Sequence, residues 1–125
     1  TGFRQVILNL IINARDVIEK KGRIKISLKK IKRGESLTTN HLGEKSKAPK
    51  DGAEIIISDN GSGIPEDIFD KIFDPFFTTK NSASGSGFGL YNCKIFMEDH
   101  RGKISFSSKP GKGTTFFLYL PLSIQ

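Results

Sequence analysis

The 125-residue chain has a single cysteine, only two histidines, and no apolar run near the roughly 20 residues that a membrane-spanning helix needs. Each scarcity excludes something. One thiol, Cys93, cannot close an internal disulfide, and it lacks the companions of a Cys-ligated metal site. It lies in "NCKIF", inside a helical pattern, where a free thiol packs as a small hydrophobe. That usage fits a reducing, intracellular setting. No basic, apolar and small-residue leader is present, so this stretch gives no evidence of export. His41 lies in a polar stretch and His100 ends a helix as "EDHRG". Both read as surface or capping residues. No internal repeat is present, and the length suits one domain, 1–125, and not two.

Charge is unevenly spread. Residues 21–50 carry ten Lys or Arg against two acids, Glu35 and Glu44, so they exceed the whole-chain net charge of +7 and leave the remainder near neutral. A basic stretch can track nucleic acid or anionic lipid. Here no aromatic residue is interleaved to stack on bases, so nucleic acid is not an expected partner. Lysines along a strand edge, where they discourage edge-to-edge pairing, are the favoured explanation.

Periodicity sets the elements. In "FRQVILNLIINARDVIEKKG" apolar residues recur at three- and four-residue steps from Phe3 to Ile18, an amphipathic helix with Gly22 as its stop. "RIKISLKKI" alternates Ile24, Ile26 and Leu28 as a half-buried strand. Residues 32–53 are polar and read as a long basic loop. "AEIIISD" is a short apolar strand ending at Asp59, "PEDIFDKIF" a short helix opened by Pro65, and "FGLYNCKIFMEDH" a second helix. "GKISFSSK" and "GTTFFLYLP" are strands joined by the turn "PGKG". The order predicts an α/β (α+β) two-layer sandwich, its mixed and mostly antiparallel sheet covered by helices on one face.

Two glycine turns are the first chemical signal. "DNGSGIP" follows a strand, and "GSGFGL" precedes a helix, where backbone N–H groups at the positive end of the dipole can seat phosphate. Either turn is also compatible with a purely structural role. The P-loop fails, because Gly89 is followed by Leu90 and Tyr91 rather than Lys and Ser/Thr. The dinucleotide fingerprint fails on spacing and on the preceding loop. On the first helix Asn9 and Asn13 are four apart and share a face. They read either as satisfied core amides or as carbonyl donors to a hard cation such as Mg²⁺. Asp16 can add a carboxylate to that face.

Taken together, "NLIINARDVI", "DNGSGIP", "IFDPFFTTK", "GSGFGL" and "GKGTTFFLYLP" resemble, in this order, the ATP-binding catalytic domain of sensor histidine kinases. That domain belongs to a superfamily with DNA gyrase B, the heat-shock chaperone ATPase and MutL. The resemblance implies a Bergerat-type fold, ATP and Mg²⁺ as ligands, and a role for each motif. Asn13 resembles the Mg²⁺-coordinating Asn, with Asn9 and Asp16 on the same helix. Asp59 resembles the acid that accepts a hydrogen bond from the adenine amino group. Gly61 and Gly63 let the base approach, Ile64 packs beside it, and Thr114 resembles the Thr that reaches adenine. Phe73 and Phe77 anchor a lid over 74–88, or simply pack in the core. Thr79 and Lys80 lie in that lid, and Lys80 is placed to reach a phosphate. Gly85, Ser86, Gly87, Phe88, Gly89 and Leu90 form the glycine box that closes on the triphosphate.

Water-activating relatives carry a Glu general base where this chain has Asn9, and an amide takes no proton at neutral pH. That favours phosphoryl transfer to histidine, with Asn9, Asn13 and Lys80 as catalytic candidates. The implied partners are an upstream histidine-bearing dimerisation domain, a response regulator reached indirectly, and a second copy in a full-length homodimer. The family has a strand before the first helix, so a catalytic domain truncated at its N-terminus is the expectation. So is a cytoplasmic location, whether or not the intact protein is a membrane-bound sensor. A clamp-type ATPase and a non-catalytic nucleotide-binding module are the alternatives.

Overall fold

Apolar spacing builds the first helix, α1 (Phe3–Val17), in the computed structural model, which describes residues 2–17, 21–38, 43–75, 77 and 89–122. Six strands follow in chain order: β1 (Ile24–Ile31), β2 (Ser36–Thr38), β3 (Lys45–Lys47), β4 (Gly52–Asp59), β5 (Lys103–Lys109) and β6 (Gly113–Pro121). Between β4 and β5 come a 3-10 helix (Glu66–Lys71) and α2 (Gly89–Asp99). No helix among the described residues is long and apolar enough to cross a membrane.

The main sheet has the order β1-β4-β6-β5. The expected mixed sheet is corrected: every ladder among the described residues is antiparallel. Side chains alternate between faces along each strand. Ile57, Phe116 and Phe106 therefore share the face that meets the helices. Val6 and Leu10 of α1 and Cys93 and Met97 of α2 close the core over them.

β1 departs from expectation. Its alternating apolar residues predict burial, yet Ile26 is 51% and Leu28 75% exposed. Only Ile24 of that set packs against the core. β1 is an edge strand, and the core built by Val6 and Leu10 centres on Ile57 of β4.

The polar segment 32–53, expected as a loop, contains β2 and β3, which pair with Leu37 opposite Ser46. Leu37 and Ala48 bury with Ile31 and Tyr119 in a second small core. By strand alternation Tyr119 lies on the sheet face opposite the helices. Three polar ties hold the cover down. Tyr119 Oη donates to the Lys50 carbonyl at 2.7 Å, Ser105 Oγ to the Thr38 carbonyl at 2.6 Å, and Lys103 Nζ to Ser46 Oγ at 3.1 Å. The sheet is thus covered on both faces at this end. Its apolar residues, Leu37 and Ala48 among them, are too sparse in the sequence to form a period.

α2 ends by hydrogen bonding rather than by a glycine at the left-handed position. Arg101 takes φ 60°, its N–H donates to the Glu98 carbonyl, and the Gly102 N–H donates to the Met97 carbonyl. Gly102 is needed one step later, where a Cβ would strike the Tyr119 carbonyl oxygen. His100 stacks on Phe96 with ring centroids 4.0 Å apart, and its Nδ1 lies 2.9 Å from the Phe96 carbonyl oxygen in the last turn of α2, the capping role expected of it. His41 lies outside the described residues.

Candidate functional site

The site forms where β4 ends and β6 begins. Asp59 and Thr114 are partners across this ladder, so their side chains lie on the same face of the sheet, the one that carries the helices. Asp59 Oδ1 accepts two backbone hydrogen bonds, from Gly61 N–H at 2.8 Å and from Thr114 N–H at 3.3 Å. The first closes an Asx turn that starts the glycine loop. One carboxylate oxygen is therefore fixed, and Oδ2 remains the acceptor.

The "DNGSGIP" turn interlocks with the "PGKG" turn that joins β5 to β6. Gly63 sits at φ 77°, and a Cβ there would run into the Lys109 carbonyl. Gly113 sits at φ 133°, and a Cβ there would strike the Asp59 carbonyl oxygen. The Gly111 N–H donates to the Ser62 carbonyl at 2.7 Å. Backbone-to-backbone approach thus explains Gly63 and Gly113 without a ligand. Gly61 contributes its N–H to Asp59, and Ile64 packs against the main core.

A hydroxyl that the sequence did not single out ties these turns together. Ser108 Oγ accepts from the Ile64 N–H at 2.8 Å, donates to the Gly113 carbonyl at 3.0 Å, and lies 2.8 Å from Thr114 Oγ1. Nothing in "FSSKPGKG" distinguishes Ser108 from Ser107. Asn60 was also missed: its Oδ1 accepts from the Arg23 N–H at 2.7 Å and ties the start of the sheet to the turn.

On the helical side, Asn9 bridges α1 to α2. Gln5 Nε2 donates to Asn9 Oδ1 at 3.0 Å, and Asn9 Nδ2 donates to the Gly89 carbonyl at 3.4 Å. The Gln5–Asn9 tie was legible, since residues four apart share a helix face. Asn13 is half-buried one turn further along α1. Asp16 is in the last turn of α1, and its side chain lies outside the described residues. Cys93 is fully buried below Asn9, and burial pushes its thiol up to about 11, with a hydrogen bond from Asn9 pulling the other way. At that value it is a packed thiol and not a nucleophile.

Phe73 and Phe77 both pack against the main core, and the Phe73 ring lies 6.0 Å from that of Phe106. The packing role is therefore observed. Leu90 packs there too, directly after Gly89, which opens α2. Thr79, Lys80, Gly85, Ser86, Gly87 and Phe88 lie outside the described residues, as does most of 74–88.

A family model described as "Histidine kinase-, DNA gyrase B-, and HSP90-like ATPase" matches residues 1–124. The sensor kinase CckA of Brucella abortus is 36% identical over 98% of this chain, and the histidine-protein kinase AtoS of Escherichia coli 40% identical over 98%. The chain spans only 13% and 17% of those two proteins. Among solved structures, the catalytic domain of the histidine kinase ThkA superposes with a TM-score of 0.68 at 32% identity, covering 95% of this chain and 65% of that one.

Proposed function

Because the chain belongs to the family of histidine kinase-, DNA gyrase B- and HSP90-like ATPases, we propose that it holds Mg·ATP between the α1–α2 layer and the Asp59–Thr114 strand ends. On this reading it presents the γ-phosphoryl group to a histidine on a separate helical domain of the intact kinase. The observation that carries the reading is the state of Asp59. Its Oδ1 is locked by two backbone N–H groups, which orients Oδ2 as an acceptor for the exocyclic amino group of adenine.

The donor chemistry fits a magnesium ion brought in with the nucleotide. Among the described residues no cluster of three or more His, Cys, Asp or Glu could hold a metal by itself. Mg²⁺ commonly takes one or two protein oxygens with the remainder from phosphate and water. Asn13 is the residue that would supply such an oxygen. When bound, the ion neutralises charge developing on the transferred phosphoryl group. The chain's own residues do the positioning. Asp59 and Thr114 fix the base. Asn9 keeps the first residue of α2 tied to α1, and so keeps the phosphate-facing helix end in register with Asn13.

Asn9 also weighs against the clamp-type ATPase. Its side-chain oxygen accepts from Gln5 and its nitrogen donates to Gly89, so the group standing at the base position takes no proton from water. Phosphoryl transfer to a neutral imidazole makes no such demand.

Calorimetric titration tests the site directly. ATP with Mg²⁺ should bind and GTP should bind weakly. Asp59→Asn should weaken ATP by about tenfold to a hundredfold, the range for losing a charge-assisted hydrogen bond. A folded sample that binds neither nucleotide, or that binds both equally, would sink the reading.

A further inference from the structure

Ser108 Oγ is the junction of three polar groups beside Asp59 and Thr114. Its hydroxyl has one proton and two lone pairs. The Ile64 N–H, 2.8 Å away, can only donate, so it occupies one lone pair. The Gly113 carbonyl, 3.0 Å away, can only accept, so it takes the proton. Thr114 Oγ1, 2.8 Å away, is left one option: it donates its own proton to the second lone pair of Ser108. This assignment satisfies all three contacts at once. It also removes the Thr114 proton from the pocket, so Thr114 Oγ1 presents only lone pairs there.

We propose that Ser108 is a positioning residue for purine selection, setting the Thr114 hydroxyl as a hydrogen-bond acceptor beside Asp59. The inference rests on the adenine-site reading above. Asp59 Oδ2 and Thr114 Oγ1 then form a pair of acceptors on neighbouring strands. A 6-amino purine offers two N–H donors at the matching position. A 6-keto purine puts an acceptor at that position and keeps a single N–H donor, at N1, so at most one of the two acceptors is paired and the keto oxygen meets the other, which costs affinity. Ser108 itself touches no base. It acts through Thr114, and its bond from the Ile64 N–H serves to fix where its own proton points.

The test compares ATP with inosine triphosphate, which differs at the 6-position and N1, in competition titrations of this chain. Wild type should prefer ATP. Ser108→Ala releases the Thr114 proton, which can then donate to a keto oxygen. The ATP-to-ITP preference should narrow by about fivefold to tenfold, the scale of one hydrogen bond. Ser108→Thr keeps the hydroxyl and should restore the preference to within about twofold. In a Thr114→Val background, Ser108→Ala should leave the preference unchanged, since the group it acts through is gone. A merely structural role predicts equal loss for both nucleotides, and that result overturns the proposal. An unchanged preference in Ser108→Ala overturns it as well, while the loss of affinity in Asp59→Asn would leave the adenine site standing. If wild type binds ATP without dependence on Asp59, the site reading fails and this inference fails with it.

Discussion

Single residues carry the chemistry, and they differ in how far the chain alone reveals them. Asp59 and Thr114 stand out because each ends or begins a strand beside glycine. Their pairing across β4 and β6 spans more than fifty positions and needs the sheet register. Ser108 was illegible, since a serine on a strand has no periodic or spacing signature. Cys93 was legible as a packed thiol, and the structure adds its protection. With the thiol buried and pushed up to about 11, native protein at pH 7.5 should react with a thiol reagent far more slowly than denatured protein. Stopped reaction at intervals, with and without denaturant, measures this. Fast stoichiometric labelling of native protein would show that the α1–α2 contact opens readily.

At the scale of the element, period proved a guide to conformation more than to burial. α1 follows its apolar stripe, and Val6, Leu10 and Ala14 are all buried. β1 has an equally regular stripe, yet Ile26 and Leu28 face solvent, because an edge strand is covered only as far as the helix layer reaches. The contrast predicts unequal sensitivities. Leu10→Ala should cost about 2–5 kcal/mol in denaturant unfolding, as buried Leu truncations do. Leu28→Lys should stay within about 0.5 kcal/mol of wild type, as exposed substitutions do. A large loss from Leu28→Lys would mean that something in the protein covers this edge.

For the whole molecule, the segment 32–53 decides the second face of the sheet. It places Glu54 under cover, 8% exposed. Desolvation raises the carboxyl above its ordinary 4.5, with Glu35 adding to the rise and Lys29 and Lys45 opposing it. A raised folded value means that the folded state holds the proton more tightly than the unfolded chain. The associated stability is present below about 4.5 and is lost as pH rises through the folded value. Ionised Glu54 therefore weakens the fold at neutral pH. Glu54→Gln should melt above wild type at pH 7.5, and the gap should close as pH falls towards 4.5. A variant that melts below wild type at pH 7.5 would show that the lysines outweigh burial.

The sequence by itself determined the helices, most strands, the two-layer plan and the family to which the order of its motifs points. These follow from local periodicity, turn chemistry and motif order, all properties of neighbours along the chain. The tertiary structure alone decided which regular stripe is covered, that a polar segment folds over the open sheet face, and that Ser108 joins two turns. Those depend on which atoms meet across the sheet, where a backbone N–H, a carbonyl and two hydroxyls distant in sequence share one set of lone pairs and protons.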